Sequence, residues 1–184
     1  MLIFGNGEFA KVMYPHFGCR LTVHREYIKE YELAFEDAEP QELVIAVGHK
    51  NRKSIYNAAI ERGFSPRGYF GATSHRQGLA WHNSIILEHN FIQHYAYVGK
   101  NNVLWSFCHV GHHSQIGDHN FITSHVCIGG GAVIGNECFI GMNATVFDHV
   151  KIGNNCIIAA GAVVDRDIPD NHTLSRKGVL VANA

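Results

Sequence analysis

Between Ile86 and Val164 an aliphatic side chain recurs at every sixth position: Ile86, Ile92, Val98, Leu104, Val110, Ile116, Ile122, Ile128, Ile134, Ile140, Val146, Ile152, Ile158 and Val164. A period of six is neither the 3.6 of an α-helix nor the seven of a coiled coil. It fits a triangular β-solenoid, in which each six-residue unit makes one short strand and one tight corner. Four positions past the aliphatic the residue is usually small, as at Ser114, Ala132, Cys138, Ala144 and Ala162, so each unit turns one large and one small side chain inward. Glycine directly follows the aliphatic at Gly99, Gly111, Gly117, Gly129, Gly135, Gly141 and Gly153, where it is expected to relieve backbone strain at the corners. Three units close an 18-residue coil, and residues i and i+18 should stack at the strand spacing of about 4.8 Å. The repeat makes a little more than four coils.

The stretch ahead of the repeat has a different pattern. MLIF reads as a strand, followed by the turn Gly5-Asn6-Gly7-Glu8-Phe9-Ala10 and a helix-like AKVMYPHF that Pro15 is expected to interrupt or end. ELVIAVG (42–48) reads as a second strand, and NRKSIYNAAIERGF as a helix keeping Ile55, Ala58, Ala59 and Phe64 on one face. The fold class is therefore mainly β, a parallel β-helix preceded by a small βαβ, Rossmann-like α/β domain. The expected boundaries are 1–72 for the α/β domain, 73–170 for the solenoid and 171–184 for a C-terminal tail. Gly5, Asn6 and Gly7 form a glycine-rich strand-to-helix turn of the kind that brings backbone N–H groups to a phosphate. Gly48 and His49 end the second strand at another such loop. No acidic residue clearly ends a second strand about 20 residues on, which disfavours a dinucleotide.

Composition narrows the function classes. Hydrophobic residues make up 46% of the 184 and charged ones 17%, which excludes a disordered chain. The net charge of -1, without a Lys/Arg run, leaves no electrostatic footprint for nucleic acid or an anionic membrane. The N-terminus lacks a basic segment and a long apolar stretch, and nowhere do 18 apolar residues run together, so a cytoplasmic location is expected. Five cysteines, Cys19, Cys108, Cys127, Cys138 and Cys156, have no paired CxxC spacing and read as small buried fillers.

Histidine is abundant, with 14 copies. Within the solenoid one register reads His94, His112, Gly130 and Asp148 in successive coils. Gly130 and Gly131 thus stack beside His112 and His113 and leave a shallow trough next to an imidazole. Acyl transfer from a thioester needs a base for the acceptor's proton and a donor for the developing oxyanion. His112 fits the base, since a free imidazole titrates near 6.5.

The segment VGHHSQIGDHNFITSHVCIGGGAVIGNECFIGMNATVFDHVKIGNNCIIAAGAVV resembles the left-handed β-helix acyltransferases of the hexapeptide-repeat class. The chain looks most like the branch containing sialic acid O-acetyltransferases and the N-acetyltransferases of nucleotide-linked amino sugars. That resemblance implies a left-handed solenoid and acetyl-CoA as co-substrate, without a metal. It implies a nucleotide-linked amino sugar held by the N-terminal domain, at Gly5, Asn6, Gly7, Gly48 and His49. It points to His112, ahead of Ile116-Gly117-Asp118, as the catalytic histidine, and to the Gly130 backbone N–H, beside Gly131, as the donor to the thioester oxygen. IIAAGAVVDRDIP resembles the stretch that meets CoA, with Ala159, Ala160 and Gly161 as a low wall and Arg166 near the phosphates. The family is trimeric, and a trough this shallow needs a neighbouring prism as its second wall, so a homotrimer with interfacial active sites is expected.

Two positions depart from the family. Relatives carry Asp or Glu after the catalytic histidine, where this chain has His113, which leaves the orienting group open; Asp148 is two coils from His112, about 9 to 10 Å, too far to bond it directly. A second family histidine, nine residues downstream, falls on Phe121. An amine acceptor tolerates loss of an acidic partner better than a hydroxyl does, which favours N- over O-acetylation. The γ-class carbonic anhydrases use the same solenoid with three zinc-binding histidines, two spaced by 36 and the third five further on. His89 and His125 have the spacing but Gly130 follows, and His113 and His149 have it but Asn154 follows. A non-catalytic scaffold would show a regular, usually Thr-rich face rather than His, His, Gly, Asp.

Overall fold

The computed structural model describes residues 2–4, 8–17, 42–80 and 83–183. The chain divides into two compact units, 1–68 and 69–184.

Among the described residues the first unit holds a parallel three-stranded sheet, β1 (Leu2–Phe4), β2 (Glu42–Ile45) and β3 (Ser65–Pro66) in that order, with helices α1 (Glu8–Phe17) and α2 (His49–Glu61). Ile3 pairs with Val44 and Phe4 with Ile45, and the strand residues Ile3, Phe4, Leu43, Val44 and Ile45 are all buried, the near-continuous apolar run of a parallel sheet. Ile55, Ala58 and Ala59 of α2 and Phe64 after it pack on Phe4, Leu43 and Ile45. Contrary to expectation, α1 continues through Pro15 to Phe17. A proline removes one i−4 hydrogen bond without of itself ending a helix, and α1 stops two residues beyond it.

The second unit is a left-handed parallel β-helix. Among the described residues its strands, two residues long except for the last two of three, form three sheets of eight, six and five strands. Their register is the expected one: Val103 pairs with Phe121, Phe121 with Phe139, His109 with Cys127, and Gln115 with Val133. The solenoid starts ahead of residue 73, because Tyr69–Phe70 already pairs with Ile85–Ile86. At the other end Thr173 pairs with Ile157, and His172–Leu174 makes an antiparallel hairpin with Leu180–Ala182, so the tail extends a solenoid sheet.

The recurring aliphatics form one continuous core, joined by Ala96, Cys108, Ala132, Cys138, Ala144, Cys156 and Ala162 at the small positions. Asn90, Asn102 and Asn120 also occupy small positions, fully or almost fully buried. Each stays satisfied because its Oδ1 accepts an amide from the next coil, as from Cys108, Asn120 and Cys138 at 2.7 to 2.8 Å. Cys108, Cys138 and Cys156 are buried as expected, and burial pushes the Cys108 thiol up to about 12. Cys127 is a correction: it immediately precedes an inward aliphatic, points outward and is exposed. Cys19 lies outside the described residues.

The role assigned to glycine also needs correcting. The glycines after the aliphatics do not have positive φ; that conformation falls two residues later, at Asn83, His89, Tyr95, Asn101, Phe107, His113, His119, His125, Gly131, Glu137, Asn143, His149, Asn155 and Gly161. Glycine follows the aliphatic because successive coils touch there. A Cβ on Gly111 would lie 2.6 Å from the Gly129 carbonyl carbon and the Gly130 nitrogen, and one on Gly135 would lie 2.7 Å from the Gly153 carbonyl. Much of the histidine content follows from the corners, since Asn and His enter the left-handed region more readily than most side chains.

Candidate active site

The corner joining strand His109–Val110 to Gln115–Ile116 stacks on the corners one coil before and after it. Its left-handed positions are Tyr95, His113, Gly131 and His149, with φ of 60°, 60°, 64° and 63°. Each of their amides after the first donates to the preceding coil: His113 to the His94 carbonyl at 3.2 Å, Gly131 to His112 at 2.8 Å and His149 to Gly130 at 2.9 Å. This ladder fixes His112 and His113 at the exposed edge of the prism.

His112 lies against Gly130. A Cβ there would come within 2.7 Å of Cε1 and 2.8 Å of Nε2 of the His112 ring, so only glycine leaves the ring where it is. Gly131 is matched in the same way to His149, 2.5 Å from Nδ1. The expected trough beside His112 is therefore partly filled by the imidazoles themselves.

The His112 and His113 rings stand at 84° with their Nδ1 atoms 3.1 Å apart. The His112 amide donates to Gln93 Oε1 at 2.9 Å, and the His113 ring packs on Tyr95 with centroids 4.9 Å apart. The Gly130 amide, the expected oxyanion donor, is already engaged: it donates to Asp148 Oδ1 at 2.7 Å. Sequence spacing placed Asp148 two coils from His112, too far to bond it directly; its carboxylate instead takes the Gly130 amide one coil away. The same rung recurs elsewhere, from Lys100 N to Asp118 Oδ1, Asp118 N to Asn136 Oδ1 and Asn136 N to Asn154 Oδ1.

At the end expected to meet CoA, Ala160 and Gly161 are exposed and present little side chain, as the wall requires. Arg166 is exposed but occupied, with Nη1 on Asp165 Oδ1 at 3.0 Å and Nη2 on the Gly178 carbonyl at 2.8 Å. The tail hairpin also brings Arg176 alongside Gly161, its Nε 3.8 Å from where a Cβ would stand. Arg176 is a second cation at this end that the linear sequence did not indicate. Phe121 is buried and stacks on Phe139 with centroids 6.1 Å apart, an apolar contact at the position where the family resemblance places an imidazole.

In the first unit, Gly48 is the extended N-cap of α2 and is exposed, and His49 opens the helix. No acidic residue occupies the first turn, so the positive end of the helix dipole is not neutralised locally. Arg52, one turn on, is fully buried; Nη1 donates to the Ile45 carbonyl, and burial holds its guanidinium down to about 9. Arg52 thus ties α2 to the end of β2. Gly5, Asn6 and Gly7 lie outside the described residues. Among the described residues, no three His, Cys, Asp or Glu side chains could hold a metal ion, and no helix is long and apolar enough to cross a membrane.

Residues 95–130 and 131–166 match the family described as bacterial transferase hexapeptide (six repeats). The match covers the central coils of the solenoid, where the six-residue period is most regular. No curated protein matches the chain in sequence. Its fold is similar to that of a histidine-to-asparagine variant of perosamine N-acetyltransferase from Caulobacter crescentus, solved with CoA and GDP-perosamine, at a TM-score of 0.83 and 18% identity over 99% of this chain and 97% of that one. It is also similar to the acetyltransferase domain of PglB from Neisseria gonorrhoeae FA1090, solved with acetyl coenzyme A, at 0.66 and 18% over 94% of each. Both likenesses extend beyond the hexapeptide repeat to nearly the whole chain, so the small α/β unit is shared as well.

Proposed function

We propose that the protein transfers an acetyl group from acetyl-CoA to the amino group of a nucleotide-linked amino sugar, as a cytoplasmic homotrimer supplying surface polysaccharide or glycan synthesis. The observation that carries this reading is the seating of His112: an exposed imidazole lying where any Cβ on Gly130 would displace it, with Nδ1 already in a contact and Nε2 left for chemistry. The sugar amine attacks the thioester carbon as Nε2 of His112 takes its proton. The C–S bond then breaks and the CoA thiolate takes a proton in turn. The Gly130 amide would serve the oxyanion once Asp148 releases it. Ala160 and Arg166 would line the CoA arm, and Gly5, Asn6, Gly7, Gly48 and His49 the acceptor's phosphates.

The likeness to two solved acetyltransferases, one with CoA and a GDP-linked amino sugar, supports both substrates. The shallow edge at His112 supports a trimer, since a thioester there needs a wall from a neighbouring prism. Amino-sugar nucleotides incubated with acetyl-CoA should release free thiol and yield an N-acetyl product. His112→Ala should keep the oligomer and lose most turnover, by about 10²-fold or more. Thiol release only with hydroxyl sugars, or full turnover in His112→Ala, would overturn the reading.

A further inference from the structure

Two imidazole nitrogens 3.1 Å apart are within hydrogen-bond distance, and one proton must lie between them. Two bare lone pairs would repel, and two N–H groups would collide. Of the two arrangements that satisfy this, only one leaves a usable base. If His113 donated, His112 would carry its own proton on Nε2 and could accept nothing there. If His112 donates its Nδ1–H, Nε2 is bare.

We propose that His113 is the positioning residue for His112: protonated on Nε2, it accepts the His112 Nδ1–H and keeps Nε2 of His112 free to take the acceptor's proton. This rests on His112 being the general base. His113 is held for the task on three sides. Its backbone is in the left-handed region at φ 60°, its amide bonds the His94 carbonyl and its ring packs on Tyr95. When His112 becomes an imidazolium during the reaction, the same contact becomes charge-assisted and strengthens, the property an orienting partner needs. A neutral imidazole thereby does work that a carboxylate could also do, without placing a fixed negative charge beside the incoming CoA.

The test uses three variants compatible with φ 60°, so that backbone strain does not enter: His113→Gly, His113→Asp and His113→Asn. His113→Gly should lower kcat by about tenfold to hundredfold, as small misplacements of a catalytic group do, and leave the KM for acetyl-CoA within about twofold. His113→Asp and His113→Asn can each accept the Nδ1–H and should restore most of kcat. Nitrogen NMR of the intact protein should find the His112 proton on Nδ1 in the wild type and lose that preference in His113→Gly. Unchanged kcat in His113→Gly, or a His112 proton on Nε2 in the wild type, would overturn the proposal. If instead His112→Ala retains turnover, the general-base reading itself fails, whatever the His113 variants do.

Discussion

Asp148 Oδ1 accepts the Gly130 amide at 2.7 Å, so the backbone donor nearest His112 is bonded to a carboxylate one coil below it. A carboxylate is a better acceptor than a thioester carbonyl, and the two cannot share one N–H in good geometry. The rung belongs to the solenoid's architecture, as its repetition at Asp118, Asn136 and Asn154 shows, yet at Gly130 it competes with chemistry.

Removing that competitor should improve donor binding. In Asp148→Ala the Gly130 amide is free, and the KM for acetyl-CoA should fall about fivefold, the equivalent of a net hydrogen bond of about 1 kcal/mol. Initial rates at varied acetyl-CoA check this. An unchanged KM would mean that the thioester oxygen lies elsewhere than at Gly130.

Alanine at the two glycines of this corner should separate activity from stability. Gly130 does not need positive φ, but a methyl there would meet the His112 ring at 2.7 to 2.8 Å. Gly130→Ala should therefore displace the imidazole and cut kcat by about 10²-fold, with thermal stability little changed. Gly131 has φ 64°, and a Cβ on it would stand 2.5 Å from His149 Nδ1. Gly131→Ala should add strain of about 1 to 2 kcal/mol and lower Tm. Parallel kcat and Tm measurements distinguish the two effects.

The repeat was legible because inward positions tolerate so little: a large aliphatic and a small residue must alternate at fixed offsets, so the register survives in the letters. His112 was legible for the same reason, since register alone stacks it on Gly130. The left-handed corners were not, because Asn, His and glycine share that preference and glycine drew attention to the wrong position. The start of the solenoid was hidden because Tyr69 reaches Ile85 in sixteen residues rather than eighteen and neither Tyr69 nor Phe70 is aliphatic. The Asp148 rung depends on a side chain reaching back to the amide one coil earlier, and Arg176 reaches Gly161 through the tail hairpin.

The glycines after the aliphatics should be intolerant of any side chain. A Cβ on Gly135 would stand 2.7 Å from the carbonyl carbon and oxygen of Gly153, atoms fixed by the ladder on both sides. Gly135→Ala must therefore push neighbouring coils apart rather than shift a side chain. The expected loss is about 3 kcal/mol or more, at the upper end of overpacking effects. Urea denaturation followed by circular dichroism reads it as a lower midpoint, while a midpoint equal to wild type would show that the coils have slack.

Glu88 ties down the first coil and makes its stability depend on acid. Its carboxylate accepts the Thr73 hydroxyl at 2.5 Å, the Tyr69 hydroxyl at 2.6 Å and the Thr73 and Ala72 amides at 2.9 and 3.3 Å. The Thr73 and Tyr69 hydroxyls are the leading causes that hold its carboxyl down to about 2, whereas an unfolded glutamate titrates near 4.3. The folded pKa lies below the unfolded one, so the stabilisation is fully present above the unfolded value and is lost as pH falls through the folded one. Glu88→Gln should therefore melt below wild type at neutral pH by a margin that is constant down to about pH 5, narrows from there and vanishes near pH 2. Melting curves of the two proteins across that range test it, and a margin independent of pH would assign the loss to packing rather than to the carboxylate's charge.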